Sequence, residues 1–212
     1  NDMLYIDYNK KKEVKETGAI TCSEAIRYGM LISVLMRNQK DFDGLMRWFL
    51  KFKNKKGLLS WQQAKHHNSY CNNPDGGDDS ATDGDIDVAT SFFYAAHAIW
   101  DHEFNHKTFK PLLSDWSEED KKFLYVTRPS NFILSAFATF QIKDTERSEL
   151  WGKVLDATIS TLQRQLKKYS TGLISDVMKC SSKEHYEPVR KEVLESDNDK
   201  VAVDSLISVD AR

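Results

Sequence analysis

Two kinds of helix are predicted to alternate along this chain, and this alternation restricts its fold more than any other feature. Residues 23–37 and 86–100 are apolar on most of their faces, which is typical of helices buried on all sides. The segment between them has an apolar stripe at helical spacing, which predicts one buried face: Phe42, Leu45, Met46, Phe49 and Leu50. The second half repeats the pair, with a buried helix over 131–140 and a one-faced helix marked by Trp151, Val154, Leu155, Thr158, Ile159, Leu162 and Leu166.

Two concentric layers explain this alternation, because inner helices are buried on all sides and outer helices cover them. A flat bundle would instead contain one-faced helices throughout. The chain has only 9 Gly and 4 Pro in 212 residues, which is sparse for a protein made of many strands and turns. We therefore predict an all-α ring of inner and outer helices. Residues 1–212 form one domain in this interpretation, since we find no linker that would divide them.

Composition excludes several classes of function. The chain carries 30 basic and 32 acidic residues, and this balance argues against a nucleic-acid binder, which needs concentrated positive charge. No apolar run is long enough to cross a bilayer. The three cysteines (Cys22, Cys71 and Cys180) are an odd number without a short pairing motif, so they predict neither a disulfide framework nor a zinc knuckle.

Two acidic residues at predicted helix starts have an ordinary structural interpretation. Thr21-Cys22-Ser23-Glu24 fits a capping box, in which Glu24 would reach back to the Thr21 amide. Asp83 follows Thr82 at the start of an apolar helix and could be its N-cap, with further acidic residues favoured by the helix dipole. Taken one at a time, both residues are explained by capping.

Taken together, Glu24 and Asp83 suggest chemistry. Inner helices of an alternating ring run parallel, so their N-termini gather at one end, and two carboxylates across such a mouth are the equipment for glycoside hydrolysis. Trp61 and Trp116 lie in predicted loops, where their indole faces could stack on sugar rings at the same mouth. Trp48 and Trp151 fall on apolar stripes, and we assign them to the core.

A resemblance to a known family rests on motifs that follow one another along nearly the whole chain. SEAIRYGM (23–30) resembles the SEGxxYGM motif of glycoside hydrolase family 8, and ATDGDIDVA (81–89) resembles its ATDGDxDIA signature, with Val88 in place of Ile. Shorter stretches keep the family's order: DFDGLMRW (41–48), LLSWQ (58–62), SDW (114–116), TRPS (127–130), TGLISD (171–176) and VDAR (209–212).

The resemblance implies an (α/α)6 barrel and a set of site residues. Carried over by position, Glu24 is the general acid, Asp210 is the general base, and Asp83 holds the distorted sugar at the cleavage point. Tyr28 and Arg128 lie inside matching motifs and are expected to bind substrate, as are Trp61 and Trp116. The family needs no metal or organic cofactor.

The resemblance also implies the reaction, which is hydrolysis of β-1,4-linked polysaccharide by single displacement with inversion. One protonated carboxyl gives a proton to the leaving oxygen, while an ionised carboxylate about 6.5–9.5 Å away takes a proton from water. β-Glucan of the cellulose type is our first expectation, because the ATDGDxD loop looks most like that of the family's endoglucanases. Xylan and chitosan are the alternatives within the family.

The resemblance further carries expectations about the ends of the chain. The family continues through several more helices after the position of Arg212, so we expect an incomplete barrel that exposes an apolar flank of its inner helices. We also expect the segment after about Asp204 to be displaced or poorly ordered, because the helix beginning at Asp210 would lack its later turns. A monomer that is secreted or held at the cell surface, with its leader removed, completes the expectation.

Two functions of other classes compete with hydrolysis of sugars. His102-Glu103-Phe104-Asn105-His106 matches H-E-x-x-H, the pattern of zinc metalloproteases, with Glu118, Glu119 or Asp120 as a third ligand. The other alternative is a carbohydrate-binding barrel without activity. A calcium loop over 79–90 is excluded, because its third place is Ala81 and its twelfth, where a bidentate Glu is needed, is Thr90.

Overall fold

The computed structural model describes residues 2–8, 18–66, 69–74, 77–96, 126–175, 177–182 and 185–188. The chain divides into two compact units, Asn1–Asp115 and Trp116–Arg212. No helix among the described residues is both long enough and apolar enough to cross a membrane.

The first unit combines three helices with one small sheet. In chain order its elements are β1 (Ala19–Cys22), α1 (Ser23–Leu35), α2 (Gln39–Lys51), β2 (Gln62–His66), β3 (Ser69–Asn72) and α3 (Thr82–Tyr94). The strands are antiparallel in the order β1-β2-β3. The sequence analysis predicted an all-α ring, so these three strands are additions from the structure.

The capping-box prediction for Glu24 is wrong. Cys22 is still in β1, opposite Gln62 of β2, so helix α1 begins only at Ser23. The residue before the helix is therefore Cys22 in an extended conformation, and it makes no side-chain capping hydrogen bond. The N-cap prediction for Asp83 is also wrong, because α3 begins at Thr82 after Ala81. Neither carboxylate is the capping residue of its helix.

The core of the first unit lies where α1, α2 and α3 meet. Phe42, Leu45 and Phe49 of α2 are buried as predicted, whereas Leu50 is exposed, because it lies at the margin of the stripe. Trp48 is confirmed as a core residue. Its ring packs 4.5 Å from that of Phe52, and its indole nitrogen donates to the Gln63 side chain at 3.2 Å.

Helix α1 is buried on one side only. Ile26, Met30 and Val34 are inaccessible to solvent and belong to the core. On the other side an apolar stripe is exposed: Tyr28, Ile32, Leu35 and Met36. The structure therefore exposes one apolar side of a helix whose sequence pattern is typical of burial on all sides.

The second unit contains two helices and a second small sheet. Its elements are β4 (Val126–Thr127), α4 (Leu134–Lys143), α5 (Ser148–Lys168), β5 (Met178–Ser182) and β6 (His185–Pro188), with short 3-10 turns at Pro129–Asn131 and Thr145–Arg147. The strands are antiparallel in the order β4-β5-β6. These strands, too, were not expected from the all-α prediction.

Helices α4 and α5 meet around a buried carboxylate. Asp144, 1% exposed, lies between the helices and accepts hydrogen bonds from Arg147 at 2.7 Å and from the Trp151 indole at 2.9 Å. Trp151 also packs against Phe140 with ring centroids 4.9 Å apart, which confirms its assignment to the core. A charge this deep in the protein requires such partners, because an unpaired buried carboxylate is strongly destabilising.

Candidate active site

Helices α1 and α3 are in close contact at their first turns. The Cα of Gly84 faces Ser23, and a Cβ added at Gly84 would lie 2.9 Å from both the Cβ and the Oγ of Ser23. Only glycine allows this approach. Glu24 is the neighbour of Ser23, and Asp83 is the neighbour of Gly84. The N-termini of α1 and α3, each carrying one of the predicted acidic residues, therefore lie at the same end of the first unit.

Arg27 joins the two helices electrostatically. It lies one turn after Glu24 on α1, and its Nη1 is 2.9 Å from Asp83 Oδ2 and 3.1 Å from Asp87 Oδ2 on α3. The arginine side chain is 10% exposed, and the carboxylates are 21% and 14% exposed. Ion pairs so shielded from water are stronger than surface pairs, and they are less screened by salt.

The Asp87 carboxylate is not fully compensated by this arginine. Its pKa is raised above the usual range, chiefly because burial disfavours the charged form, and the nearby Asp83 carboxylate raises it further. Arg27 lowers the same pKa and only partly opposes these effects. One guanidinium therefore serves two carboxylates, and a negative charge is left at this end of the helices.

Glu24 is exposed in the first turn of α1, and two residues that the sequence analysis did not select lie beside it. The Cys22 thiol donates to Glu24 Oε2 over 3.5 Å, and its pKa is raised, first by burial and also by the Glu24 charge. Burial likewise raises the pKa of the Tyr8 hydroxyl, with smaller effects from Cys22 and Glu24. Both side chains are therefore neutral near pH 7. No sequence motif marks Tyr8, because only the fold brings it to Glu24.

Trp61 is held next to the start of α1 by its backbone. Its carbonyl accepts a hydrogen bond from the Ser23 amide at 2.8 Å, and its amide donates to the Asp79 carbonyl at 2.7 Å. The residue is half-buried just before β2. The predicted sugar-stacking residue thus lies at the same end of the first unit as Glu24.

Tyr28 also lies near this end, on the exposed side of α1. Its ring is 4.4 Å from the Arg27 guanidinium, and its hydroxyl accepts a hydrogen bond from Arg27 Nη2 at 2.9 Å. The Tyr28 side chain therefore helps to orient Arg27 while more than half of its surface is in contact with solvent.

Asp85, a further acidic residue in the first turn of α3, has a structural role. It is buried in the first turn of α3, and its Oδ1 accepts a hydrogen bond from the Leu59 amide at 3.0 Å. This contact ties the loop before Trp61 to α3. The alternation of acidic residues in TDGDID thus places Asp85 toward the loop and Asp83 and Asp87 toward Arg27.

The remaining predicted residues lie in the second unit or outside the described residues. Arg128 belongs to the second unit, where its carbonyl accepts a hydrogen bond from the Asn131 amide at 2.9 Å. Trp116, Asp210 and the H-E-x-x-H segment 102–106 lie outside the described residues, as does the segment after Asp204. Among the residues that the structure does describe, no group of three or more His, Cys, Asp or Glu side chains could hold a metal ion.

Comparison with protein families and curated proteins gives one consistent result. The model of glycosyl hydrolases family 8 matches residues 10–111. A β-glucanase from Niallia circulans is 31% identical over 232 residues, covering 91% of this chain and 54% of that protein. Endoglucanase A from Acetivibrio thermocellus is 27% identical over 192 residues, covering 80% of this chain and 38% of that protein. The chain spans about half the length of the first of these relatives, and less of the second.

Solved structures show the same relationship. A β-1,3-1,4-glucanase from Paenibacillus sp. X4 superposes with a TM-score of 0.65 at 30% identity, covering 90% of this chain and 56% of that one. An endo-β-1,4-glucanase from an Achatina fulica gut metagenomic library superposes with a TM-score of 0.62 at 20% identity, covering 87% and 60%. At that identity the second likeness shows the fold alone.

The superpositions define the class of protein to which the chain belongs. The fold is that of the (α/α)6-barrel proteins, which confirms the predicted fold class. Within that class, the chain belongs to glycoside hydrolase family 8, as its motifs predicted.

Proposed function

We propose that this chain carries the proton-donating half of the active site of an inverting endo-glycosidase that cleaves β-1,4 linkages in β-glucan. The grouping of Glu24 and Asp83 at the touching N-termini of α1 and α3 is the observation that supports it best. The names of its relatives, a β-glucanase and several endoglucanases, favour β-glucan as substrate. Xylanase or chitosanase activity is the alternative within the family, and a reducing-end xylose-releasing exo-oligoxylanase shares the fold.

In this proposal each acidic residue has one task. Glu24, exposed to solvent, gives its proton to the oxygen of the leaving sugar, and the positive end of the α1 dipole stabilises the carboxylate left behind. Asp83 accepts hydrogen bonds from ring hydroxyls, which strengthen as the ring flattens toward the transition state. Asp210 takes the proton from the attacking water, a role that rests on the VDAR resemblance alone.

The surrounding residues would bind the sugar chain. Trp61 and Trp116 are proposed as stacking platforms, and Tyr28 and Arg128 as hydrogen-bonding contacts. We further propose that the protein is one catalytic domain that acts as a monomer, without nucleic acid, metal or organic cofactor. We place it outside the cytoplasm, secreted or at the cell surface, where polysaccharide is found.

Glu24→Gln tests the proposal most directly. In the whole protein as its gene encodes it, we expect the rate of reducing-end release from β-glucan to fall by at least about a hundredfold, because the amide cannot donate the proton. Oligosaccharide binding and the unfolding temperature should change little. Wild-type protein should be tried on mixed-linkage β-glucan, carboxymethyl cellulose, xylan and chitosan, with NMR of the first product to show inversion.

Glu149→Gln provides a matched control. Glu149 is also the second residue of its helix, after Ser148, and its carboxylate pairs with Lys153 at 2.7 Å on the surface. This variant should keep the wild-type rate. A Glu24→Gln protein that keeps its rate would show that Glu24 is not the acid, and a wild type that binds but cleaves none of the four polymers would favour the inactive barrel.

A further inference from the structure

Among the described residues, the Asp83 carboxylate is held by a single partner. Its Oδ2 is paired with Arg27 Nη1 at 2.9 Å, and its side chain is 21% exposed. Within the described part of the chain, no other side chain bonds to this carboxylate, and Oδ1 is left for another ligand. A short carboxylate in the first turn of a helix has several rotamers available, so a fixed direction for Oδ1 requires something to hold Oδ2.

Arg27 is itself fixed from several directions. Asp87 anchors the same Nη1 at 3.1 Å, and the Tyr28 hydroxyl accepts from Nη2 at 2.9 Å. The Tyr28 ring lies 4.4 Å from the guanidinium, and only 8% of the arginine is exposed. A planar guanidinium held by two carboxylates and a tyrosine has little freedom to turn, so it can act as a rigid support.

We propose that Arg27 is a positioning residue for Asp83: by clamping Oδ2 across the α1–α3 contact, it directs Oδ1 toward the sugar at the cleavage point. This inference rests on the proposed function. Asp87 is the second anchor of Arg27, and it keeps the guanidinium directed at Asp83 and not at solvent. The SEGxxYGM motif allows any residue at position 27. The proposed role of Arg27 therefore rests on its contacts in the structure and not on the motif.

The predicted kinetic effect is specific. If Asp83 loses its support, the ring hydroxyl contact is lost mainly in the transition state, so kcat should fall while KM changes little. A misplacement of about 1 Å costs on the order of a hundredfold in rate. Arg27→Met removes the charge at similar volume, and Arg27→Lys restores a charge that can reach one carboxylate.

The experiment compares Arg27→Met, Arg27→Lys and Asp83→Asn, singly and combined, with wild type on the preferred polysaccharide. We expect kcat to fall roughly a hundredfold in Arg27→Met with KM within about threefold, and Arg27→Lys to recover part of the loss. Adding Arg27→Met to Asp83→Asn should change kcat by less than about threefold, because the arginine acts through Asp83. Arg47→Met is the control, since Arg47 on α2 contacts only the Asp2 carbonyl at 2.9 Å and 3.3 Å among described residues, and its kcat should be unchanged.

Several outcomes would overturn the inference. In one such outcome, Arg27→Met and Arg27→Lys lower the unfolding temperature but leave kcat per folded molecule unchanged. The arginine would then be purely structural. Another is a full hundredfold effect of Arg27→Met that persists in the Asp83→Asn background. If Arg27→Met does not fold, the same comparison is made with Arg27→Lys. An inactive wild type would instead reject the proposed function, and the inference with it.

Discussion

At the scale of single residues, the site depends on Arg27, which pairs with two carboxylates at once. Arg27 faces Asp83 and Asp87 together, and both acids lie on the side of α3 that meets α1. A buried arginine usually matches one carboxylate, and the second one here is retained at a cost in desolvation. That cost is visible in the raised pKa of Asp87, and it gives the ion cluster a pH dependence.

Asp87→Asn should therefore reveal a pH-dependent contribution to stability. Because the folded-state pKa of Asp87 is raised, its contribution is fully present below the unfolded value of about 3.9, and it is lost as the pH rises through the folded pKa. Asparagine does not titrate. The free energy of unfolding of wild type minus that of Asp87→Asn should decrease from about pH 4 to about pH 7, measured by denaturant unfolding at each pH. A difference that is the same at every pH would contradict the assignment.

At the scale of elements, the closeness of α1 and α3 decides where the acidic residues stand. The contact depends on Gly84, since any side chain there would push against Ser23. Both helices begin at this contact: β1 delivers the chain to Ser23, and Asp85 ties the Leu59 loop to α3. A shift between the helices would move Glu24 and Asp83 apart without changing either residue.

Gly84→Ala should destabilise the first unit. The added Cβ would lie 2.9 Å from the Ser23 Cβ, an atom close to the backbone that cannot turn away, so the helices must separate. Overpacking of this kind costs about 1–3 kcal/mol, which exceeds the gain of up to about 1 kcal/mol from replacing a helical glycine by alanine. Native-state hydrogen exchange of α1 and α3 would measure the loss.

Gly152→Ala is the matched control for that substitution. Gly152 is also helical, and its added Cβ would lie 2.8 Å from the Gln141 side-chain nitrogen, which is the far end of a flexible chain. Gln141 can rotate away, so we expect exchange in α5 to be unchanged or slower, with a gain of up to about 1 kcal/mol. Equal losses at both glycines would show that the Ser23 contact is not special.

At the scale of the whole molecule, the fold and the family are established, whereas the activity is a proposal. The matched β-glucanase is about twice as long as the part that this chain covers, so the contribution of Asp210 has to be tested in the whole protein. The competing zinc hypothesis, based on His102 and His106, also has to be tested at this scale, because those residues lie outside the described ranges.

Removal of metal separates the two hypotheses. A hydrolase that works with three carboxyl groups should keep its full rate on β-glucan after dialysis against EDTA, because no step needs a Lewis acid. The rate should be compared before dialysis, after dialysis and after addition of zinc. An activity that is lost on dialysis and returns with zinc would favour His102 and His106 and would contradict the glycosidase mechanism as proposed.

The sequence by itself determined the fold class, the family and the choice of Glu24 and Asp83. Helix periodicity is a local property, so the stripe on α2 and the core roles of Trp48 and Trp151 could be predicted from spacing alone. The motifs SEAIRYGM and ATDGDIDVA are contiguous, so no tertiary information was needed to recognise them.

Only the tertiary structure decided which neighbours these residues have. The capping-box prediction for Glu24 was wrong because the pairing of β1 with β2, between residues 40 positions apart at Cys22 and Gln62, delays the start of α1. Tyr8 beside Glu24, and Arg27 between Asp83 and Asp87, also join segments far apart in the chain. Such contacts depend on loop closure and on the packing of Gly84 against Ser23, and neither leaves a periodic signal in the sequence.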